Sequence, residues 1–177
     1  MNLNTIYNTH QYNYLLTNEI WQKADFYAIE TNSSFWNKAI VITLSKEEAT
    51  TNIEALIYLL QKQTKALAIW EEHWNTTTPT VFQFIEFFIA QRGFINTIGK
   101  KVSTKLFYKN YSETISNIIA KPTFEFTKND NREVYFNLLD QNTIINVICF
   151  DDYWHEHNYL IETKTNWILY HWSSANY

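Results

Sequence analysis

The chain is predicted to be α+β, with central helices packed on a mostly antiparallel sheet that ends in a C-terminal β-meander. Three observations lead there. Period-two alternation marks strands near the start and again through the last third, helical spacing fills the middle, and the links between the later apolar runs are short and turn-rich. No internal repeat and no Pro/Gly/Ser linker interrupts the 177 residues, so residues 1–177 read as a single globular domain.

Each element has its own warrant. Residues 24 to 30 (ADFYAIE) and 36 to 44 (WNKAIVITL) read as two strands joined by the polar stretch Glu30-Thr-Asn-Ser-Ser, because Ile40, Ile42 and Leu44 alternate with Ala39, Val41 and Thr43. Ahead of them, Tyr12 to Trp21 is ambiguous, a short helix being one reading. Helical spacing takes over after Ser45. Ser45-Lys-Glu-Glu48 and Thr51-Asn-Ile-Glu54 both fit a capping box, in which the hydroxyl accepts from the third amide and the carboxylate reaches back. Ile53, Leu56, Ile57, Leu60, Leu67, Trp70 and Trp74 then recur on one face, with Lys62 and Lys65 off it.

A second helix is predicted from near Thr80, after Pro79. Val81, Phe82, Phe84, Ile85, Phe87, Phe88 and Ile89 leave only a narrow polar stripe at Gln83 and Glu86, the pattern of a central, buried helix. Its extension runs through Gly93 to Ile98, with Gly99 as a left-handed cap and Lys100 and Lys101 beside the negative helix end. A third helix is expected over about Ser112 to Ala120, stopped by Pro122. Beyond it Phe124 and Phe126 alternate, as do Val134, Phe136 and Leu138. Thr143 to Phe150 is apolar on both faces, and Tyr159 to Thr163 and Trp167 to Trp172 follow. The links Asn129-Asp-Asn131, Asp140-Gln-Asn142 and Lys164-Thr-Asn166 are tight enough to join antiparallel neighbours.

Composition removes several function classes. The chain has only two glycines, Gly93 and Gly99, against 18% aromatic residues. Phosphate-cradling loops, dinucleotide fingerprints and nucleophile elbows need glycine where the backbone bends or meets a ligand, and none is present. A net charge of −4 with 14 thinly spread Lys and Arg disfavours a general nucleic-acid binder. One cysteine, Cys149, rules out an internal disulfide and a cysteine zinc cage, and its apolar surroundings suit a small buried hydrophobe. The start, MNLNTIYNTHQYNY, lacks the charge and apolar core of a signal peptide, and no stretch approaches the ~20 apolar residues of a membrane span. The cytoplasm is the expected compartment.

Two polar clusters remain. Asp151-Asp152-Tyr153-Trp154-His155-Glu156-His157 is the denser. A His-X-His pair in a strand places both rings on one face, where a nearby carboxylate would complete a metal set. The segment reads instead as a loop between strands, with no supporting ligand pattern, so neither a metal nor another cofactor is expected. Glu71-Glu72-His73-Trp74 closes the first long helix as an exposed acidic edge, its adjacent carboxylates pointing about 100° apart. No residue is marked as a nucleophile, and Ser173-Ser174 reads as a chain end. Trp167 and Trp172, five apart in one strand, fall on opposite faces, which would leave one of them outside, ringed by acidic and amide residues.

In size, composition and α+β pattern the whole chain resembles bacterial immunity proteins, those encoded beside polymorphic or contact-dependent growth-inhibition toxins. That resemblance implies a protein-binding role, a tight one-to-one complex with a cognate toxin domain, often a nuclease; the thin basic charge, the short apolar stretches and the missing catalytic motifs speak against nucleic acid, a membrane or an enzymatic activity. The candidate partner-binding residues are Asp151, Asp152, Tyr153, Trp154 and Glu156, with Glu71 and Glu72 as a second acidic edge; carboxylates would complement a basic nuclease cleft. The alternative is a small-ligand-binding or metal-dependent hydrolytic enzyme built on His155, His157 and the carboxylates near them.

If the helix starting near Thr80 is central, Phe87→Ala will cost about 3–5 kcal/mol in urea unfolding; a change below about 0.5 kcal/mol would make that helix peripheral.

Overall fold

The computed structural model describes residues 17–32, 35–71, 99–119, 124–126, 139–153 and 155–176. A 3-10 turn, Glu19–Lys23, opens them, its first amides capped by the Asn18 side chain, which accepts from Ile20 N at 3.2 Å. Strands β1 (Asp25–Asn32) and β2 (Phe35–Ser45) follow, then helix α1 (Asn52–Glu71). After β3 (Lys100–Lys101) come helix α2 (Thr104–Ile119) and β4 (Phe124–Phe126). A second 3-10 turn, Gln141–Thr143, leads into β5 (Ile144–Tyr153), β6 (Glu156–Thr163) and β7 (Asn166–Asn176).

The strands form one seven-stranded sheet in the order β3-β5-β6-β7-β2-β1-β4. Every pairing in it is antiparallel. The α+β class and the antiparallel sheet agree with the sequence reading. The strand at Phe124–Phe126 does not open a run into β5 as expected. It pairs with β1 through Ala28, Ile29 and Glu30, at the opposite edge of the sheet. Both edge strands are short, and β3 carries Lys100 and Lys101, a combination that discourages pairing with another sheet.

The residues of β2 and β7 sort by parity onto two apolar layers. Ile40, Ile42, Leu44, Trp167 and Leu169 pack with Leu56, Ile57, Leu59 and Leu60 of α1. Ala39, Val41, Ile168 and Tyr170 pack with Phe107, Tyr111, Ile115 and Ile118 of α2. The helices therefore cover opposite faces, and the sheet is the middle of three layers. Trp167 and Trp172 do fall on opposite faces, but no outer face is left for either: Trp167 is buried against α1, and Trp172 packs partly buried in the α2 layer.

Local chemistry sets where the helices begin. Of the two capping boxes, the second operates. Glu54 N donates to Thr51 Oγ1 at 3.2 Å, and Glu54 Oε2 accepts from Thr51 N at 3.1 Å and from Thr50 N and Oγ1 at 2.9 Å each. Partial burial acts to raise the Glu54 carboxyl, but those hydrogen bonds from Thr50 and Thr51 outweigh it and hold the group below its ordinary range. Ser45 instead ends β2 in a tight turn, with Glu48 N donating to Ser45 O at 3.0 Å. Trp167 then fixes α1 to the sheet: its Nε1 donates to Ala49 O at 2.9 Å, and Lys46 Nζ lies 5.1 Å over its ring while pairing with Glu162 at 2.6 Å.

Helix α2 begins at Thr104, eight residues ahead of the predicted start near Ser112. Ser103 supplies the N-terminal turn, its carbonyl accepting from Phe107 N at 2.9 Å. The missed signal is the stripe Phe107, Tyr111, Ile115 and Ile118, which only reads as helical once its aromatic members are counted as core. The predicted central helix from Thr80 and the strand at Val134–Leu138 lie outside the described residues.

Gly99 has a role other than the left-handed cap assigned to it. Its φ is outside the left-handed region, and what excludes a side chain is proximity: a Cβ there would run into Ile148 Cγ2 and stand 2.9 Å from Phe150 Cε1. Gly99→Ala is expected to cost about 1–3 kcal/mol through overpacking. Chemical denaturation measures this, and an unchanged midpoint would show that β3 approaches β5 less closely.

Candidate functional site

The polar cluster of the sequence is a hairpin. Its described residues extend the two core strands β5 and β6 as far as Tyr153 and Glu156, with His155 in the turn. Asp151 stands in register with Asn158, Asp152 with His157 and Tyr153 with Glu156, beyond a bulge between Cys149 and Asp151 that re-aims the end of β5. The expected solvated loop is therefore mostly ladder, because the pairing continues past the apolar residues that advertised the strands. β7 runs alongside, and Ser174 N donates to His155 O at 2.9 Å. Ser173 and Ser174 belong to β7 rather than to a chain end.

Alternation divides this region between the two faces. His157 falls with Tyr159 on the α2 side, its ring 4.7 Å from that of Trp172 and 6.0 Å from Tyr159. Next to them Phe107, Tyr111, Tyr159 and Tyr170 form a packed aromatic group, with centroids 4.9 Å apart for Phe107 and Tyr159 and 5.0 Å for Tyr111 and Tyr170. Burial holds the Tyr170 phenol well above its ordinary range, Tyr111 and Tyr159 push the same way, and Thr114 of α2 acts against them. The buried Trp172 Nε1 meets no hydrogen-bond acceptor among the described residues.

The opposite face carries a chain that the sequence reading missed. Asn158, wholly buried, donates from Nδ2 to Glu156 Oε1 at 3.3 Å, and its Oδ1 lies 2.8 Å from His171 Nδ1. His171 Nδ1 is 3.8 Å from Glu156 Oε1, and each of these two side chains is 13% exposed. The proton positions follow from the donor inventory. A carboxylate only accepts, so the Asn158 amide must turn Nδ2 to Glu156 and Oδ1 to His171. His171 Nδ1 must then carry the proton, which makes Nε2 the acceptor of the neutral ring.

No known protein family, characterised protein or solved structure matched this chain. The site therefore has to be read from its own geometry. Among the described residues no group of three His, Cys, Asp or Glu side chains is placed to hold a metal ion, and no helix is long and apolar enough to cross a membrane. His155 is exposed in the turn and His157 is in β6, so the strand geometry that would align them applies to one of the pair only.

Of the predicted partner-binding residues, Asp151, Asp152, Tyr153 and Glu156 are thus brought into one hairpin. Glu71 is the last residue of α1, a separate element. Trp154 and Glu72 lie outside the described residues. Asn158 and His171 had a signal in the sequence. With a tight turn between Thr163 and Asn166, equal steps outward along β6 and β7 place Asn158 opposite His171.

Asn158→Leu keeps the branched shape and removes both hydrogen bonds, leaving a part-buried carboxylate and imidazole facing an apolar group. A loss of about 1–3 kcal/mol is expected in thermal or urea unfolding. Stability within about 0.5 kcal/mol of the parent would show that the chain of hydrogen bonds contributes nothing to the fold.

Proposed function

We propose that this chain is a protein-binding immunity protein of the cytoplasm that neutralises a cognate bacterial toxin domain, a nuclease, by occluding its active site with the end of the sheet formed by the β5–β6 hairpin. The observation that carries this is the construction of the hairpin. Three acidic positions, Asp151, Asp152 and Glu156, sit on strands that continue directly from the core, and the turn between them is tied to β7 through His155 O. A surface ordered before binding loses little conformational entropy on association. Carboxylates at these strand positions would steer a basic cleft toward the hairpin and select against acidic partners. Trp154, at the tip in sequence, supplies an aromatic anchor, and Glu71 and Glu72 a second acidic edge.

A second reading, a small-ligand or hydrolytic enzyme, is favoured by one observation. Glu156, Asn158 and His171 form a carboxylate–amide–imidazole chain of the kind that orients a general base. This moves the histidine of that reading from His155 and His157 to His171.

The discriminating experiment starts with the partner recovered from native lysate. Reversing Asp151 and Asp152 to Lys is expected to slow association roughly tenfold or more at low salt and to flatten its salt dependence. Trp154→Ala is expected to raise the dissociation rate, costing roughly 2 kcal/mol or more. Unchanged kinetics in both variants would remove the hairpin from the interface. Turnover of a small substrate, lost in His171→Gln with no partner recovered, would establish the enzyme instead.

A further inference from the structure

We infer that Lys100, Lys105, Leu106 and Lys109 form a second docking surface, opposite in sign to the hairpin, for an acidic protein segment that presents an aliphatic side chain among carboxylates. This surface does not require the toxin-binding reading.

The sequence concentrates positive charge here. Residues 100–109 hold four of the 14 basic residues and no Asp or Glu, in a chain of net charge −4. Register sorts the four. Lys100 stands opposite Cys149, which packs in the α2 layer, and Lys101 opposite Ile148, which belongs to the α1 layer. Directly paired residues share a face, so Lys100 lies on the α2 side of the sheet and Lys101 on the other. Val102 N donates to Val147 O at 3.0 Å, and α2 starts at Thr104, so the helix sets out from the same edge over the face that carries Lys100. Phe107 and Tyr111 turn into the core. Leu106 is then about 100° around the helix from Phe107, and Lys105 and Lys109 are each about 160° from it.

The fold gives these side chains no work. Leu106 is 59% exposed, the most of any large apolar residue described. Lys100 and Lys105 are exposed, and neither pairs with a carboxylate among the described residues. Lys109 lies 3.8 Å from Glu113, with both side chains largely in solvent, so their pairing is weak. Lysines at a sheet edge discourage strand pairing, which accounts for Lys100 and Lys101 but not for charge on a helix. On α2 the charge opposes stability. Its first turn contains Lys105 and no acidic residue, although the positive end of the helix dipole favours an anion there. Helix α1, by contrast, starts with Glu54.

The occupant follows from this chemistry. Ammonium groups around an aliphatic knob attract carboxylates and favour one apolar contact between them. A single-stranded nucleic acid would seek aromatic faces for its bases, and no Phe, Tyr or Trp among the described residues is exposed. Its phosphates would also meet a chain of net negative charge. A segment of mixed glutamate and leucine satisfies both the lysines and Leu106.

A capped peptide with two leucines set among six glutamates tests this on the intact chain, with glutamine in place of glutamate as the control. In calorimetric titration the parent should bind the glutamate peptide, lose affinity as salt rises, and leave the control unbound. Lys105→Glu and Leu106→Ser should each weaken binding roughly tenfold or more. Lys105→Glu should also hold or raise the melting temperature, because it complements the helix dipole and gains Lys109 one turn on, so its loss of binding is not a damaged fold. Lys101→Glu, on the other face of β3, should change affinity by less than about threefold. No binding by the parent, equal binding of the control, unaltered binding in Lys105→Glu or Leu106→Ser, or an equal loss in Lys101→Glu would each overturn the surface. A single-stranded oligonucleotide of equal charge that binds more tightly than the peptide would overturn the acidic segment as its occupant.

Discussion

The rest of the structure depends on one constraint: the paired strands β2 and β7 are apolar on both faces. They run in register from Phe35 opposite Asn176 to Ser45 opposite Asn166, at the centre of the sheet. A strand with Ile40, Ile42 and Leu44 on one side and Ala39 and Val41 on the other cannot leave either side in water, since each large aliphatic side chain is worth about 1.5–3 kcal/mol on burial. One helix cannot serve both faces, so α1 takes one and α2 the other. The turn from β2 into α1 follows from the same pairing. It brings Ala49 O within 2.9 Å of Trp167 Nε1 and so gives the one polar atom of that buried ring an acceptor.

The same strands explain where polar chemistry is tolerated. Along β6 and β7 the α1-side positions pass from Leu160 and Leu169 to Asn158 and His171 and then to Glu156 and Ser173. Apolar pairs give way to a pair that bonds side chain to side chain. Burying Glu156 and His171 apart from each other would cost far more than the fold can spare, because each would lose water without a replacement. Asn158 offsets part of that cost by giving one a donor and the other an acceptor. Its amide does both at once, whereas a carboxylate there could not donate to Glu156 and an apolar residue would meet neither neighbour.

Much of this was legible in the sequence wherever a local rule decides the outcome. β1, β2 and the cap at Thr51 follow from period and from capping chemistry, and β5, β6 and β7 were placed, though shortened. What was not legible is long-range. Nothing near Phe124 says that it joins β1, because strand partners are chosen by the packing of the whole sheet. The early start of α2 was hidden because Phe107, Tyr108 and Tyr111 suit a strand as well as a helix by propensity alone. Gly99 was assigned by its place after an apolar run, whereas its reason is the approach of Ile148 and Phe150, some fifty residues on. The acidic cluster was seen, but as a loop, since charged residues carry no period that would reveal a ladder.

The histidines show most clearly how topology turns composition into chemistry. In the sequence His155 and His157 are the conspicuous pair, two apart and beside three carboxylates. In the fold His157 belongs to the α2 side with Trp172, and His171, fourteen residues away, lies 3.8 Å from the Glu156 carboxylate. His157 and His171 sit on neighbouring strands, one register step apart, yet alternation sends them to opposite faces of the sheet. They cannot share a ligand. Spacing in the sequence sets His155 and His157 side by side, whereas the imidazole that the fold brings to Glu156 comes from the neighbouring strand.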